Sequence, residues 1–388
     1  MTRLLVIRGP VLTGGRRLDE ALVHVADGRI ASVSRQSPSG GASPYRLSAG
    51  HLLAPGFVDI HIHGRAGAQA TDGHDAIRAM ARSLALSGVT AFLPTAATAS
   101  LEALAEFASG VAAVRREQEA RPESAALQAM VLGANLEGPA LDPRHHGAHD
   151  PELLTEPARV LHAWRVAPDR WREVRIMTVA PELAGGLALV RHLAESGVVV
   201  SIGHSGATFD EAMAAYAAGA TSTTHLFNAM SGFAHRKPGL AAAAFSHHSA
   251  AVEFIADGVH VDRALWPLIW RILGARLVAV SDGISGGGPA GGAHRLGGRT
   301  VRVRDGRAEL EDGTIAGSTI TLAEAVANLC AAGMPVAKAV AAATTTPARL
   351  LRRRDIGRIG RGARADLVVL DRAGVVQRVM LGGSWLDA

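Results

Sequence analysis

The chain is short of cysteine, lysine and aromatic residues, and each scarcity removes a class of function. A single cysteine, Cys330, occurs in 388 residues. No disulfide can form within the chain, and a reducing cytoplasm is the expected setting. Only Lys237 and Lys338 are lysines, so nearly all the positive charge is arginine. Aromatics make up 4% of the chain, and the arginines are scattered apart from Arg352-Arg353-Arg354. A nucleic-acid face calls for a concentrated basic patch, often with stacking rings, so the modest net charge of +5 does not point to one. No apolar run approaches the roughly 18 residues that a membrane span requires. The opening Met1-Thr-Arg-Leu-Leu-Val-Ile-Arg stretch lacks a signal-like apolar region and reads as an edge strand.

What remains is ample apolar material. Hydrophobic residues reach 48% and mean hydropathy is +0.17, enough for a large core. The length suits a barrel of roughly 250–300 residues with a smaller satellite. The first fifty residues read as short strands, Leu4–Arg8, Ala21–Val25 and Arg29–Val33, with Asp27-Gly28 as a hairpin turn. The C-terminus repeats this with Leu367–Leu370 and Val375–Leu381 around Asp371 to Gly374. The two ends therefore predict one small β-sandwich domain, residues 1–54 plus 348–388, around a catalytic unit at 55–347.

The middle alternates apolar strands with helical patterns. The strands expected are Leu52–Ile60, Val89–Leu93, Val131–Leu136, Val174–Val179, Val198–Ile202, Thr221–Thr224, Ala251–Ile255 and Leu277–Val280. Helices are expected over Leu101–Glu119, Leu187–Glu195, Phe209–Ala217 and Ala264–Leu273. Eight strands with helical crossovers predict an α/β fold of the (β/α)8 TIM-barrel type, with an open doubly wound sheet as the alternative. Gly283–Gly317 reads as an insertion after the last strand: a mobile Gly-rich start, then a hairpin of Thr300–Arg304 with Ala308–Glu311 around Asp305-Gly306.

Polar residues fall at the ends of these strands. His61 and His63 follow the first, Glu137 ends the third, His204 follows the fifth, His225 ends the sixth, and Asp282 follows the eighth. The C-terminal strand ends are where barrel enzymes build their sites. Three imidazoles or carboxylates with an open position make the arrangement of a catalytic divalent metal, zinc first, with iron, manganese and cobalt also accepting it. His61 and His63 are two apart in a strand and share a face. With Asp282 they could hold a second ion or, without metal, shape the pocket, so one or two ions per subunit are expected.

Pro55-Gly56-Phe57-Val58-Asp59-Ile60-His61-Ile62-His63-Gly64 resembles the opening motif of the amidohydrolase superfamily. Leu136-Glu137-Gly138-Pro139, Gly147-Ala148-His149, Gly203-His204-Ser205, Thr224-His225-Leu226-Phe227-Asn228-Ala229-Met230 with Arg236-Lys237-Pro238-Gly239, Asp257-Gly258-Val259-His260 and Ser281-Asp282-Gly283 resemble its N-acetylglucosamine-6-phosphate deacetylase branch. The resemblance implies that Glu137, His204 and His225 bind the principal metal, that Asp282 is general base then acid, and that His149 polarises the amide carbonyl. It also implies that Asn228, Ala229, Arg236 and His260 hold a sugar phosphate, that Ala148 and Ile315-Ala316-Gly317 line the sugar pocket, and that Asp257 joins the substrate site, the alternative being that it only caps or orients the loop of His260. Phosphate-site residues shared across a homodimer are implied too. The chain departs from the family at Gly206, where Asn or Asp is usual, and in its Gly286 to Gly292 stretch. His145, His146, His235, His247 and His248 have no strand-end logic and are expected to be solvated or structural.

The activity implied is deacetylation of N-acetylglucosamine 6-phosphate. Alternatives are the galactosamine epimer, or another barrel amidohydrolase such as a D-aminoacylase or a dihydroorotase. The last usually needs a bridging modified lysine, for which Lys237 and Lys338 are misplaced. A non-catalytic sugar-phosphate-binding barrel would not need Asp282.

Overall fold

The computed structural model describes residues 4–35, 43–120, 127–287 and 292–386. Eight strands form its centre: β1 (Phe57–Ile62), β2 (Val89–Ala96), β3 (Ala134–Glu137), β4 (Val174–Val179), β5 (Val199–Ile202), β6 (Ser222–Thr223), β7 (Ala251–Ile255) and β8 (Leu277–Val280). Each pairs in parallel with the next. The ring closes between β8 and β1. Gly283 bridges Ile62 in parallel, and the Asp282 N–H donates to the His61 carbonyl at 3.0 Å. The sheet is therefore a barrel, and the open alternative falls.

The strands are nearly continuous apolar runs because both their faces are covered. All eight residues of β2 are buried, for example. Their outward side chains join the helices in the main core, including Phe92, Met177, Val252 and Phe254. A second cluster inside the ring combines Val58, Ile60, Ala91, Leu93, Ile176, Val278 and Val280 with Ala348 and Ile356 from beyond the barrel. Local signals set the helix starts. Thr208 with Glu211, and Thr321 with Glu324, form reciprocal capping boxes before Phe209–Ala217 and Leu322–Ala331.

Two expected strands are divided. Leu52–Ile60 breaks at Gly56: Leu52–Pro55 pairs with Leu367–Leu370, and only Phe57 onward enters the barrel. Glycine is required at the break, since a Cβ on Gly56 would lie 2.1 Å from Thr90 Oγ1. Val131–Leu136 is interrupted before Ala134, and its two pieces both pair with β2. The helix expected from Ala264 begins at Trp266, after a 3-10 turn at Arg263–Leu265.

The terminal segments form one antiparallel-rich sheet that curls over its own core. Ile7, Val23 and Ile30 meet Leu367, Val369 and Met380 in a single cluster. Leu5–Thr13 is not an edge strand. It lies inside this sheet, paired with Arg16–Ala26 on one side and with Leu52–Pro55 on the other. Its Val6, Ile7, Val11 and Leu12 are buried, which an exposed edge would not allow.

After β8 comes a three-stranded sheet, Gly292–Leu296, Arg299–Arg304 and Arg307–Glu309, of which the first strand was not expected. Part of the Gly-rich stretch, residues 288–291, lies outside the described residues. This flap clusters Leu296, Val301, Val303 and Ala308 with Ala97 and Ala148, so it lies against the mouth of the barrel.

The contact at Gly56 gives a stability prediction. Gly56→Ala is expected to lower unfolding free energy by about 1–3 kcal/mol through overpacking against Thr90. Denaturant titration should show this loss, and a Thr90→Gly second change should recover part of it.

Candidate active site

Three of the strand ends turn sharply to aim one side chain at the barrel axis. His204, His225 and Asp282 lie two residues beyond β5, β6 and β8, and their φ angles are +47°, +22° and +48°. Residues other than glycine rarely adopt this left-handed region, at a cost of about 1–3 kcal/mol each, and such strain concentrates at functional sites. The side chains converge as a result.

Glu137 is the point of convergence. Five imidazole Nε2 atoms surround its carboxylate: His225 at 2.8 Å, His204 at 3.1 Å, His63 and His149 at 3.2 Å, and His61 at 3.5 Å. Asp282 Oδ1 is 3.2 Å from His63 Nε2 and 3.5 Å from His61 Nε2. Burial raises the carboxyl pKa of Glu137, but the His61 and His149 rings outweigh it and hold it well below the usual range. Burial likewise opposes ionisation of Asp282, yet the hydrogen bond from His63 and the imidazole charges bring it down to about 2.

These residues fit a divalent cation. The ligand atoms of His61, His63 and Asp282, and those of Glu137, His204 and His225, form two groups, each within 4.8 Å. His204 Nδ1–H donates to the His145 carbonyl at 2.9 Å, and His61 Nδ1–H to Glu253 Oε2 at 3.0 Å. Both rings are thereby left with an Nε2 lone pair facing the carboxylates, and His61 Nε2 is buried without a hydrogen-bond partner. Converging lone pairs and carboxylates are a donor set for a cation.

His149 is held differently. Its Nδ1 accepts the Thr98 backbone N–H at 3.1 Å, which leaves the proton on Nε2, inside the site. Burial pushes its pKa down to about 4, against the pull of the Glu137 charge. It is therefore a neutral hydrogen-bond donor.

In front of this group lies a cavity of about 490 Å³. Of the residues expected to hold substrate, Ala148, His149, Asn228, Ala229, His260, Ile315 and Gly317 line it. Three do not. Ala316 is fully buried under the flap, and Arg236 is exposed on the 232–237 loop. Asp257 stands behind His260, with Oδ2 2.7 Å from its Nδ1.

The cavity also contains residues that sequence reasoning missed or misassigned. Arg144 and His145 line it, and His145 is no bystander, since its carbonyl orients His204. Their place between the Glu-Gly-Pro and Gly-Ala-His motifs was the available signal. Glu253, fully buried in β7, was overlooked, although one charge in the apolar run Ala251–Ile255 is itself anomalous. The unusual Gly206 has a local reason. A Cβ there would lie 2.7 Å from Asp142 Oδ2 and 2.8 Å from His145 Cε1, while its N–H donates to Glu182 at 2.6 Å.

Residues 52–386 match the model of the amidohydrolase family. The chain belongs to that family. Within it, the chain is similar to amino-sugar phosphate deacetylases along nearly its whole length. It is 34% identical to the human N-acetylglucosamine-6-phosphate deacetylase, with 95% of this chain and 89% of the relative covered. It is also 34% identical to the N-acetylgalactosamine-6-phosphate deacetylase of Escherichia coli O157:H7, over 99% of both. The structure of a Mycobacterium smegmatis N-acetyl-D-glucosamine-6-phosphate deacetylase variant, in complex with N-acetyl-D-glucosamine-6-phosphate, superposes with a TM-score of 0.89 at 35% identity, covering 98% of this chain and 99% of that one. Among the described residues, no helix is long and apolar enough to cross a membrane.

Glu253 yields a prediction. Its Oε2 accepts from His61 Nδ1 and from the His225 backbone N–H, so it orients two candidate ligands at once. Glu253→Gln should weaken metal binding by about 10–100-fold without unfolding the protein. Chelator competition monitored by metal content, with thermal melting as the control, measures both.

Proposed function

We propose that this protein hydrolyses the acetamide of N-acetyl-D-glucosamine 6-phosphate to D-glucosamine 6-phosphate and acetate. The observation that carries this reading is the convergence of Glu137, His204, His225, Asp282 and His149 at the wall of one cavity. The full-length relatives named for amino-sugar phosphate deacetylation support it. A divalent cation, zinc in our reading, held by Glu137, His204 and His225, with His61 and His63 available to a second, would serve as the Lewis acid that polarises the amide carbonyl and acidifies water.

The remaining work falls to side chains. Asp282, an ionised carboxylate beside this group, takes the proton from the attacking water and returns it to the departing amine nitrogen. His149 donates its Nε2–H to the carbonyl oxygen as negative charge develops there. Because Thr98 fixes its tautomer beforehand, no reorganisation is needed at that moment. Asn228, Ala229, Ala148, Ile315 and Gly317 enclose the sugar.

Phosphate recognition falls to the Arg144 guanidinium on this cavity, and His260, oriented by Asp257 at its Nδ1, lines the same space. Arg236 is exposed and does not line this cavity. This supports a homodimer in which Arg236 serves the neighbouring copy's phosphate site. Deacetylation of a phosphorylated sugar within the cytoplasm is consistent with the single cysteine.

Two measurements test the reading. Acetate release by the metal-loaded protein should favour N-acetylglucosamine 6-phosphate over the unphosphorylated sugar. Activity on the unphosphorylated compound alone would sink the proposal, and a preference for the galactosamine epimer would reassign the substrate. Asp282→Asn should lower kcat by roughly 10²–10⁴-fold, the worth of general acid–base catalysis, with substrate binding largely retained. A parallel loss of binding would point to a structural role for Asp282.

A further inference from the structure

A second cleft, of about 600 Å³, opens beside the substrate cavity, between the helices His74–Leu86 and Leu101–Ala120. The two spaces meet at His63 and Leu296, which line both. The interior of the cleft is largely apolar, with Ile77, Ala96, Leu104, Phe107 and Leu153 among its walls. Charge appears at its edge as Asp72 and Glu106, and no basic side chain other than His63 lines it among the described residues. Leu296 clusters with Ala97 and Ala148, and so stands as a partition between the two spaces.

We propose that this cleft receives the acyl chain of amides longer than acetyl, so that the protein removes a class of short, neutral N-acyl groups. The proposal rests on the amide-hydrolysis reading above, and direction supports it. The groups assigned to the sugar and its phosphate, Asn228, Ala229, His260 and Ile315, line only the first cavity. Thr98, whose N–H positions the carbonyl donor His149, belongs to the wall of the second. A carbonyl seated at His149 with its sugar toward Asn228 therefore directs its carbon substituent to the side of His63 and Leu296. Charge identifies the occupant: an acidic edge with no basic group beyond the shared His63 disfavours an anion such as free acetate, and an apolar interior favours a hydrocarbon chain. Chemistry is unchanged by chain length. Water oxygen bonds to the acyl carbon, the C–N bond breaks, both water protons end on the amine as an ammonium, and the acyl group leaves as a carboxylate.

The test compares kcat/KM for N-acetyl, N-butanoyl, N-hexanoyl and N-succinyl glucosamine 6-phosphate on the metal-loaded protein. The butanoyl compound is expected within roughly tenfold of the acetyl one, and the anionic succinyl compound far below both. Ala103→Trp and Ala99→Trp, on the cleft wall and outside the reacting group, should each depress the longer neutral chains by about tenfold or more while leaving the acetyl compound within about twofold. Hydrolysis of the acetyl compound alone, or a chain-length preference that neither variant alters, would overturn the proposal. Cleavage of the butanoyl but not the acetyl compound would instead overturn the deacetylase reading and leave the cleft assignment supported.

Discussion

A carboxylate buried to 4% exposure with five imidazoles around it is the constraint to which the rest of the molecule answers. An isolated charge in such surroundings is costly by several kcal/mol, and it becomes tolerable only with partners held in place. Glu137 lies at the end of β3, and its partners come from β1, from the loop after β3, and from beyond β5 and β6. No local segment could supply them. Only a closed ring of parallel strands brings five separate strand ends, that of β8 with Asp282 included, within a few ångströms of one axis, and the three left-handed residues at those ends are the local strain of doing so.

The residues behind this group matter as much as those in it. A histidine can offer a lone pair or a proton at Nε2, and the partner of Nδ1 decides which. Glu253 and the His145 carbonyl accept hydrogen bonds from Nδ1–H of His61 and His204, while the Thr98 N–H donates one to Nδ1 of His149. Three chemically identical rings thus face one space as two acceptors and one donor. Backbone groups set two of the three states. Substitution at position 98 or 145 would leave those polar groups in place, so the tautomers depend on loop geometry more than on the identity of the residues there.

This explains what the sequence could and could not reveal. Strand ends carry an imidazole or carboxylate after an apolar run, so Glu137, His204, His225 and Asp282 were legible as a group, and Ala251–Ile255 and Leu277–Val280 were legible to the residue. Leu52–Ile60 read as one strand because apolarity does not show that a chain changes sheets. The change lies in the contact between Gly56 and Thr90, thirty-four residues apart. Arg236 was legible as a cation near a motif, but not as one exposed outside its own cavity. Glu253 and Arg144 were hidden for opposite reasons: one lies inside an apolar strand, and the other looks like any surface arginine until the loop after β3 folds over the barrel mouth.

The barrel also separates two tasks along its axis. Val58, Ile60, Ala91, Leu93, Ile176 and Val278, with Ala348 and Ile356, fill one part of the ring with side chains that form no hydrogen bonds and tolerate no charge. His61, Glu137, His204, His225 and Asp282 occupy the other end with polar groups that would destabilise a core if left unpaired. The apolar cluster keeps the strands in register while the polar end holds its strained turns. Because that register is fixed by residues remote from the chemistry, the loops and the flap can vary around the mouth without moving the group that surrounds Glu137. Departures from the family's usual pattern should therefore concentrate where this chain shows them: at Gly206, whose N–H Glu182 accepts and whose missing side chain leaves room for Asp142 and His145, and in the flap that carries Leu296.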